Sequence, residues 1–375
     1  MKSILFYCIT ILSLALCANA FSQGMCHTLK EGMTLGEYPA TLGNITEFPL
    51  NWMGDTIHST HELVITPKYV YVTGQDMAQV ARFDHNGKLL DHFKMDAYSG
   101  PHGILLDRKG RVWVSLEFEG TVVRLDEKGK IAKKIDVQMY VNGSKKPINT
   151  APHGICLGAD GETIWFTGKR TNTVGRIVNP DAEKPMVEHF ELPQLGAVPI
   201  FLCAGPDGSV WGTELLGNKI LKVSKDGEVQ EFKIPTDNSR PIAIIPDPEG
   251  KCMWFTEEAG VKIGKITFAG VITEYPVPAL QKNDIVASLA FDSEKNLWVQ
   301  VYVDIHNQTP AGNDYIVKFD KSIRNLPGDD LSGVPFSLHT IPSRNSVMHR
   351  IEMGPDGNLW FTELMMDKLG KVTLK

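Results

Sequence analysis

The chain has 375 residues, 42% of them hydrophobic and 22% charged, with 34 glycines and a formal net charge of −6. This is the make-up of a globular protein with a large core. A mildly acidic chain without Lys/Arg clusters has no electrostatic footprint for nucleic acid or an anionic membrane, so neither is an expected partner.

Residues 1–20 read as a signal peptide, with Lys2 as the positive region, Ile4 to Cys17 as the apolar run and Ala18-Asn19-Ala20 as the cleavage site. The apolar run is short for a membrane span and no second one follows, which points to a secreted protein with no membrane attachment after cleavage. Residues 21–43 read as an N-terminal extension and residues 44–375 as one repeat domain. Cys26, Cys156, Cys203 and Cys252 remain after cleavage. They allow three disulfide pairings or none. Asn44, Asn142 and Asn307 head N-x-[ST] triplets, as in a secreted glycoprotein.

An aromatic-centred strand then recurs along the chain: Tyr71 in VYVTG, Trp113 in VWVSLE, Trp165 in IWFTG, Trp211 in VWGTE, Trp254 in MWFTE, Trp298 in LWVQV and Trp360 in LWFTE. The two longest gaps hold the polar insertions Asn142–Thr150, His306–Asn313 and Asn325–Gly333. Each unit reads as four short strands, A to D, with the aromatic on B and Gly-containing turns between strands. Four-stranded units at a period of about 40–45 residues mark an all-β propeller, here with seven blades. The last unit lacks a strand D, and Ile45 to Leu50 (ITEFPL) has that pattern. The N-terminal strand is thus expected to complete the seventh blade and close the ring.

Aligned on the aromatics, His61, His102, His153 and His349 share one repeat position at the start of strand A, while Ile200, Ile242 and Ala287 fill it elsewhere. Strand A lines the channel, so these histidines, from blades 1, 2, 3 and 7, are expected to form an arc at one mouth. Strand B ends at the same mouth, which places Glu214, Glu257, Glu363 and Glu117 as carboxylates facing the arc. Imidazoles opposite carboxylates suit general acid–base work or a divalent cation. A histidine copied with its repeat also serves as a structural bond between blades. Arg240 and Arg350 are candidate anion-binding groups at the mouth. Nothing in the sequence names a metal.

The units GPDGNLWFTELMMDKLGKV and DPEGKCMWFTEEAGVKIGKIT, with the PHGI strand starts, resemble the streptogramin B lyase (virginiamycin B lyase) family of seven-bladed propellers. The resemblance covers roughly residues 44 to 375. It implies a lyase that opens a cyclic depsipeptide at its ester linkage by elimination, with magnesium and a histidine acid–base. By position, His349 matches the family's final-blade histidine. Val347 stands where the family has that histidine's carboxylate partner, and Ala287, followed by Ser288, where it has the other catalytic histidine. The family's own site is therefore not reproduced.

Three readings follow. One is a monomeric, secreted enzyme of secondary metabolism that moves a proton on a small cyclic or polyketide-like substrate, in an elimination, isomerisation or cyclisation. In that reading His102 or His153 transfers the proton, and Glu117 or Glu363 orients an imidazole or holds a metal. The second is a metal-dependent lactonase or esterase, and the third a non-catalytic binding propeller.

Overall fold

The computed structural model describes residues 40–54, 58–140 and 144–374. The signal peptide, most of the extension, Cys26 and Asn142 lie outside the described residues.

Seven antiparallel sheets make up the ring; in six of them neighbouring strands are consecutive in sequence, and the seventh joins the chain's two ends. Blade 1 runs through Thr60–Ile65, Tyr69–Gly74, Gln79–Asp84 and Leu89–Lys94 as strands A to D. Blades 2 to 6 begin with strands A at Pro101–Leu106, Pro152–Leu157, Pro199–Ala204, Pro241–Pro246 and Asp284–Phe291. Blade 7 takes Met348–Met353, Leu359–Glu363 and Lys368–Val372 from the C-terminal end, and Ile45–Pro49 pairs with the last of these, Ile45 opposite Val372. The expected closure is thus observed. A fifth strand, Ala40–Leu42, extends this blade and lies within the segment read as an extension.

The aromatic position forms the core between blades. Trp113, Trp211, Trp254, Trp298 and Trp360 are fully buried, and burying a large apolar side chain contributes about 1.5–3 kcal/mol. In these five blades an aspartate in the A–B turn accepts the indole N–H: Asp107, Asp207, Asp247, Asp292 and Asp356. On strand C a cation lies over the indole ring, as with Arg124, Lys222, Lys265, Lys318 and Lys371.

A β-bulge interrupts strand A in every blade, and it aims the repeat position. The bulge falls between Thr60 and Leu63 in blade 1, Pro101 and Ile104 in blade 2, and Met348 and Ile351 in blade 7. Each of the four histidines stands inside one. Two residues ahead, the chain enters strand A through a left-handed residue in five blades: Gly100, Ala151, Val198, Arg240 and Val347.

The bulge is held by the residue two after the aromatic. The Thr73 hydroxyl accepts the Glu62 N–H at 3.0 Å and donates to the His102 carbonyl of the next blade at 2.7 Å. Ser115 does the same for Gly103 and His153, and Thr362 for Arg350 and His61. Gly103 and Gly154 allow the closest approach, since a Cβ there would sit 2.4 Å from the neighbouring blade's carbonyl oxygen.

Candidate functional site

The four histidines form the expected arc. Ring centroids are 5.1 Å apart for His349 and His61, 4.8 Å for His61 and His102, and 3.6 Å for His102 and His153. Below them strand A lines a cavity of about 260 Å³, bordered by Phe201, Cys156, Cys203, Arg350 and Glu352. Cys156, Cys203 and Cys252 are free thiols, so no disulfide joins the described residues. Burial pushes Cys203 up to about 12 and Cys156 well above its usual value.

Two of the rings are fixed by a carbonyl acceptor at Nδ1: His61 Nδ1 lies 2.8 Å from the Ser59 carbonyl and His153 Nδ1 3.1 Å from the Ile200 carbonyl. His349 Nδ1 stands 3.0 Å from Glu62 Oε1 without hydrogen-bond geometry. His102 Nδ1 is buried with no hydrogen-bond partner among the described residues. Burial and the neighbouring His349 hold His61 down to about 3. Burial and its neighbouring imidazoles depress His102 well below the usual value, and burial and Lys169 do the same to His153. These three rings are therefore neutral at neutral pH.

The carboxylates require a correction. Glu214, Glu257 and Glu363, three residues after their Trp, do not face the arc. Strand side chains alternate with period two, so this position turns to the face opposite the Trp. There each meets a glutamate of strand D and a lysine at the start of strand C. The sets are Glu214 with Glu231 and Lys219, Glu257 with Glu274 and Lys262, and Glu363 with Glu47 and Lys368. Burial, then the neighbouring carboxylate, raises Glu214 and Glu257 to about 8 and Glu363 well above its usual value.

The position one further along supplies the polar rim instead. Glu117 accepts Gln75 Nε2 at 2.8 Å and Lys169 Nζ at 3.0 Å, joining blades 1, 2 and 3 beside the arc. Glu258 accepts the Tyr302 hydroxyl at 3.1 Å and lies 3.0 Å from Arg240 Nε. Burial raises Glu258, offset in part by Arg240. Gln75, Lys169, Glu258 and Tyr302 went unnoticed in the sequence, although all stand four residues after their aromatic, as Glu117 does.

Arg350 does reach the channel, but it is engaged. Its guanidinium lies over the Phe201 ring at 4.4 Å, with Nε 3.6 Å from Glu62, and it also pairs with Glu352. Burial lifts the Glu62 carboxyl, yet His349 and Arg350 outweigh that and hold it below its usual range. Glu62 follows directly on a repeat histidine and was the legible but overlooked member of the arc.

A model of the virginiamycin B lyase family matches residues 121–308. The chain belongs to the virginiamycin B lyase family. The virginiamycin B lyase of Nocardia farcinica is 30% identical over 172 residues, covering 46% of this chain and 54% of that relative. The chain thus matches about half the length of this curated relative. A crystal structure of the Staphylococcus aureus virginiamycin B lyase matches with a TM-score of 0.69 at 25% identity, covering 88% of this chain and 99% of that one. A catalytically inactive variant of that enzyme, with quinupristin, matches with a TM-score of 0.69 at 26% identity and the same coverage.

Ala287 and Val347 are buried in an apolar cluster with Ile351 and Leu364. The magnesium that the family resemblance implies prefers oxygen donors and retains several waters. Here the converging groups are imidazole nitrogens, and the nearest carboxylates, Glu62 and Glu117, are already paired with cations. The residues at this mouth do not fit magnesium.

Proposed function

We propose that the chain is a lyase-like enzyme acting on a small cyclic or polyketide-like metabolite at the histidine mouth of the channel. The observation that carries this reading is the fixed tautomer of His153. The Ile200 carbonyl holds its Nδ1–H, so Nε2 is an acceptor beside the Gln75–Glu117–Lys169 network. In an elimination, His153 Nε2 takes a proton from the carbon next to a carbonyl. The C–H electron pair becomes the new C=C bond, and the β C–O bond breaks with its pair leaving on oxygen. Lys169 neutralises negative charge on that side, and the Arg240 guanidinium offers donors across the ring to the carbonyl oxygen. Isomerisation or cyclisation would use the same transfer with the proton returned elsewhere.

Secretion is part of the proposal, on the strength of Lys2, the Ile4–Cys17 run and the exposed Asn44 and Asn307 sequons. Among the described residues no helix is long and apolar enough to cross a membrane.

The test is turnover of cyclic depsipeptides such as quinupristin, then of a lactone panel, read by mass spectrometry. Elimination opens the ring without change of mass, whereas hydrolysis adds one water and would favour an esterase. His153→Ala is expected to lower turnover by ~10²-fold or more. Full activity in each of the single variants His61→Ala, His102→Ala, His153→Ala and His349→Ala would overturn the reading. A ligand bound tightly and recovered unchanged would assign the mouth to binding alone.

A further inference from the structure

Three histidines of the arc, His61, His102 and His349, have ligand atoms that all lie within 4.8 Å of one another. They come from three different blades and their spacing is set by backbone, since each sits in a strand A bulge bridged to its neighbour by a strand B side chain.

The tautomers strengthen the point. Ser59 O accepts from Nδ1 of His61, so the proton sits there and Nε2 presents a lone pair, while Glu62 Oε1 stands 3.0 Å from Nδ1 of His349. The carboxylate behind His349 and the carbonyl behind His61 are the arrangement that orients metal-bound imidazoles. His102 is only 2% exposed and its Nδ1 has no partner among the described residues. A buried nitrogen without a hydrogen bond is destabilising, because it has lost water and gained no partner in return. The lone pairs that converge here have at most the single N–H of His102 to meet them, and a cation would satisfy them together.

We infer that His61, His102 and His349 form a three-imidazole site for a borderline divalent transition metal such as zinc, in place of the hard cation of the family. Imidazole suits zinc, copper, iron and nickel, and three protein ligands with an open position are the catalytic form of a zinc site. The open side faces the channel, where His102 also groups with His153 and Glu117. A metal here would polarise a substrate carbonyl and leave His153 to move the proton. The inference rests on reading the mouth as a small-molecule site, but its test uses no substrate.

The full chain, stripped with a chelator, is titrated with Co²⁺ and followed by its visible absorption. One equivalent is expected, with d–d bands of a nitrogen-rich site, displaced by Zn²⁺ and not by a large excess of Mg²⁺. His349→Ala, His61→Ala and the double variant are expected to lose the bands. Glu62→Gln, which removes a positioning carboxylate, should weaken binding by ~10–100-fold. His85→Ala, in the turn between strands C and D of blade 1, should bind like the parent. Circular dichroism of each variant separates loss of the site from loss of fold, and His349→Gln serves where an alanine variant does not fold. Unchanged one-equivalent binding in a folded His61→Ala/His349→Ala protein would overturn the inference. So would displacement by Mg²⁺ or the absence of any bands in the parent. Failure here leaves the His153 reading standing, and a His153→Ala protein that binds Co²⁺ yet keeps full turnover would fail that reading alone.

Discussion

Glu214 and Glu257 sit where water is excluded, and their carboxyl oxygens have no hydrogen-bond donor among the described residues. Burial, and after it Glu231 and Glu274, raises each to about 8. In the unfolded chain a glutamate titrates near its usual value, about 4.3. Between these values the folded protein binds more protons than the unfolded one, so stability falls as pH rises through the window from about 4.5 to about 8. The penalty is absent below the window and complete above it. Glu214→Gln or Glu257→Gln keeps the shape and a donor while removing the charge. Each should therefore melt with the parent at pH 4.5 and above it at pH 9, as read by thermal denaturation at the two pH values. A gain of ~1 kcal/mol corresponds to about 2 °C in a domain of this size. An unchanged difference across that range would show that these carboxyls are not buried as described.

At the scale of the strand, the hydroxyl two residues after the aromatic connects one blade's bulge to the next blade's histidine. Thr73→Val removes the acceptor for Glu62 N and the donor for His102 O with little change of volume. It is expected to cost about 1–3 kcal/mol in urea denaturation, because two buried backbone groups lose a partner. Thr73→Ser should restore most of it. The same strand explains what was legible beforehand. The alignment on Trp placed the histidines correctly because strands A and B keep one register: Val64 faces Tyr71, Leu105 faces Trp113 and Glu352 faces Trp360. The glutamates were misplaced because a one-residue step along strand B moves a side chain to the other face. Glu117 pointed inward because it was one residue further along, and the same offset would have found Lys169, Glu258 and Tyr302. Glu62 and Arg350 share the channel with their histidines because a bulge puts two successive residues on one side, which plain alternation does not anticipate.

On the scale of the whole ring, closure depends on pairs between the chain's two ends. Glu47 is fully buried in the seam strand, where it accepts Ser343 N at 2.8 Å and Lys368 Nζ at 2.9 Å. Nearby, Asp367 accepts the backbone N–H groups of His58, Ser59 and Thr60. Glu47→Ala combined with Glu363→Gln leaves the Lys368 ammonium buried without a charge partner, a change worth about 3–5 kcal/mol. Its melting temperature should fall well below that of a control such as Lys251→Ala on the surface. Equal melting would mean that the seam does not limit stability.

The seam also sets when the mouth comes into being. His349 and Arg350 stand on one side of it and His61 and Glu62 on the other, joined by the contact between His349 and Glu62 and by the bond from Thr362 to the His61 carbonyl. A chain made from its N-terminus has His61, His102 and His153 in hand long before His349 exists. The four-histidine arc cannot assemble until the final strands meet the first, so an unfinished or reopened copy holds only three of its imidazoles in place. Completion of the fold is itself the step that completes the mouth.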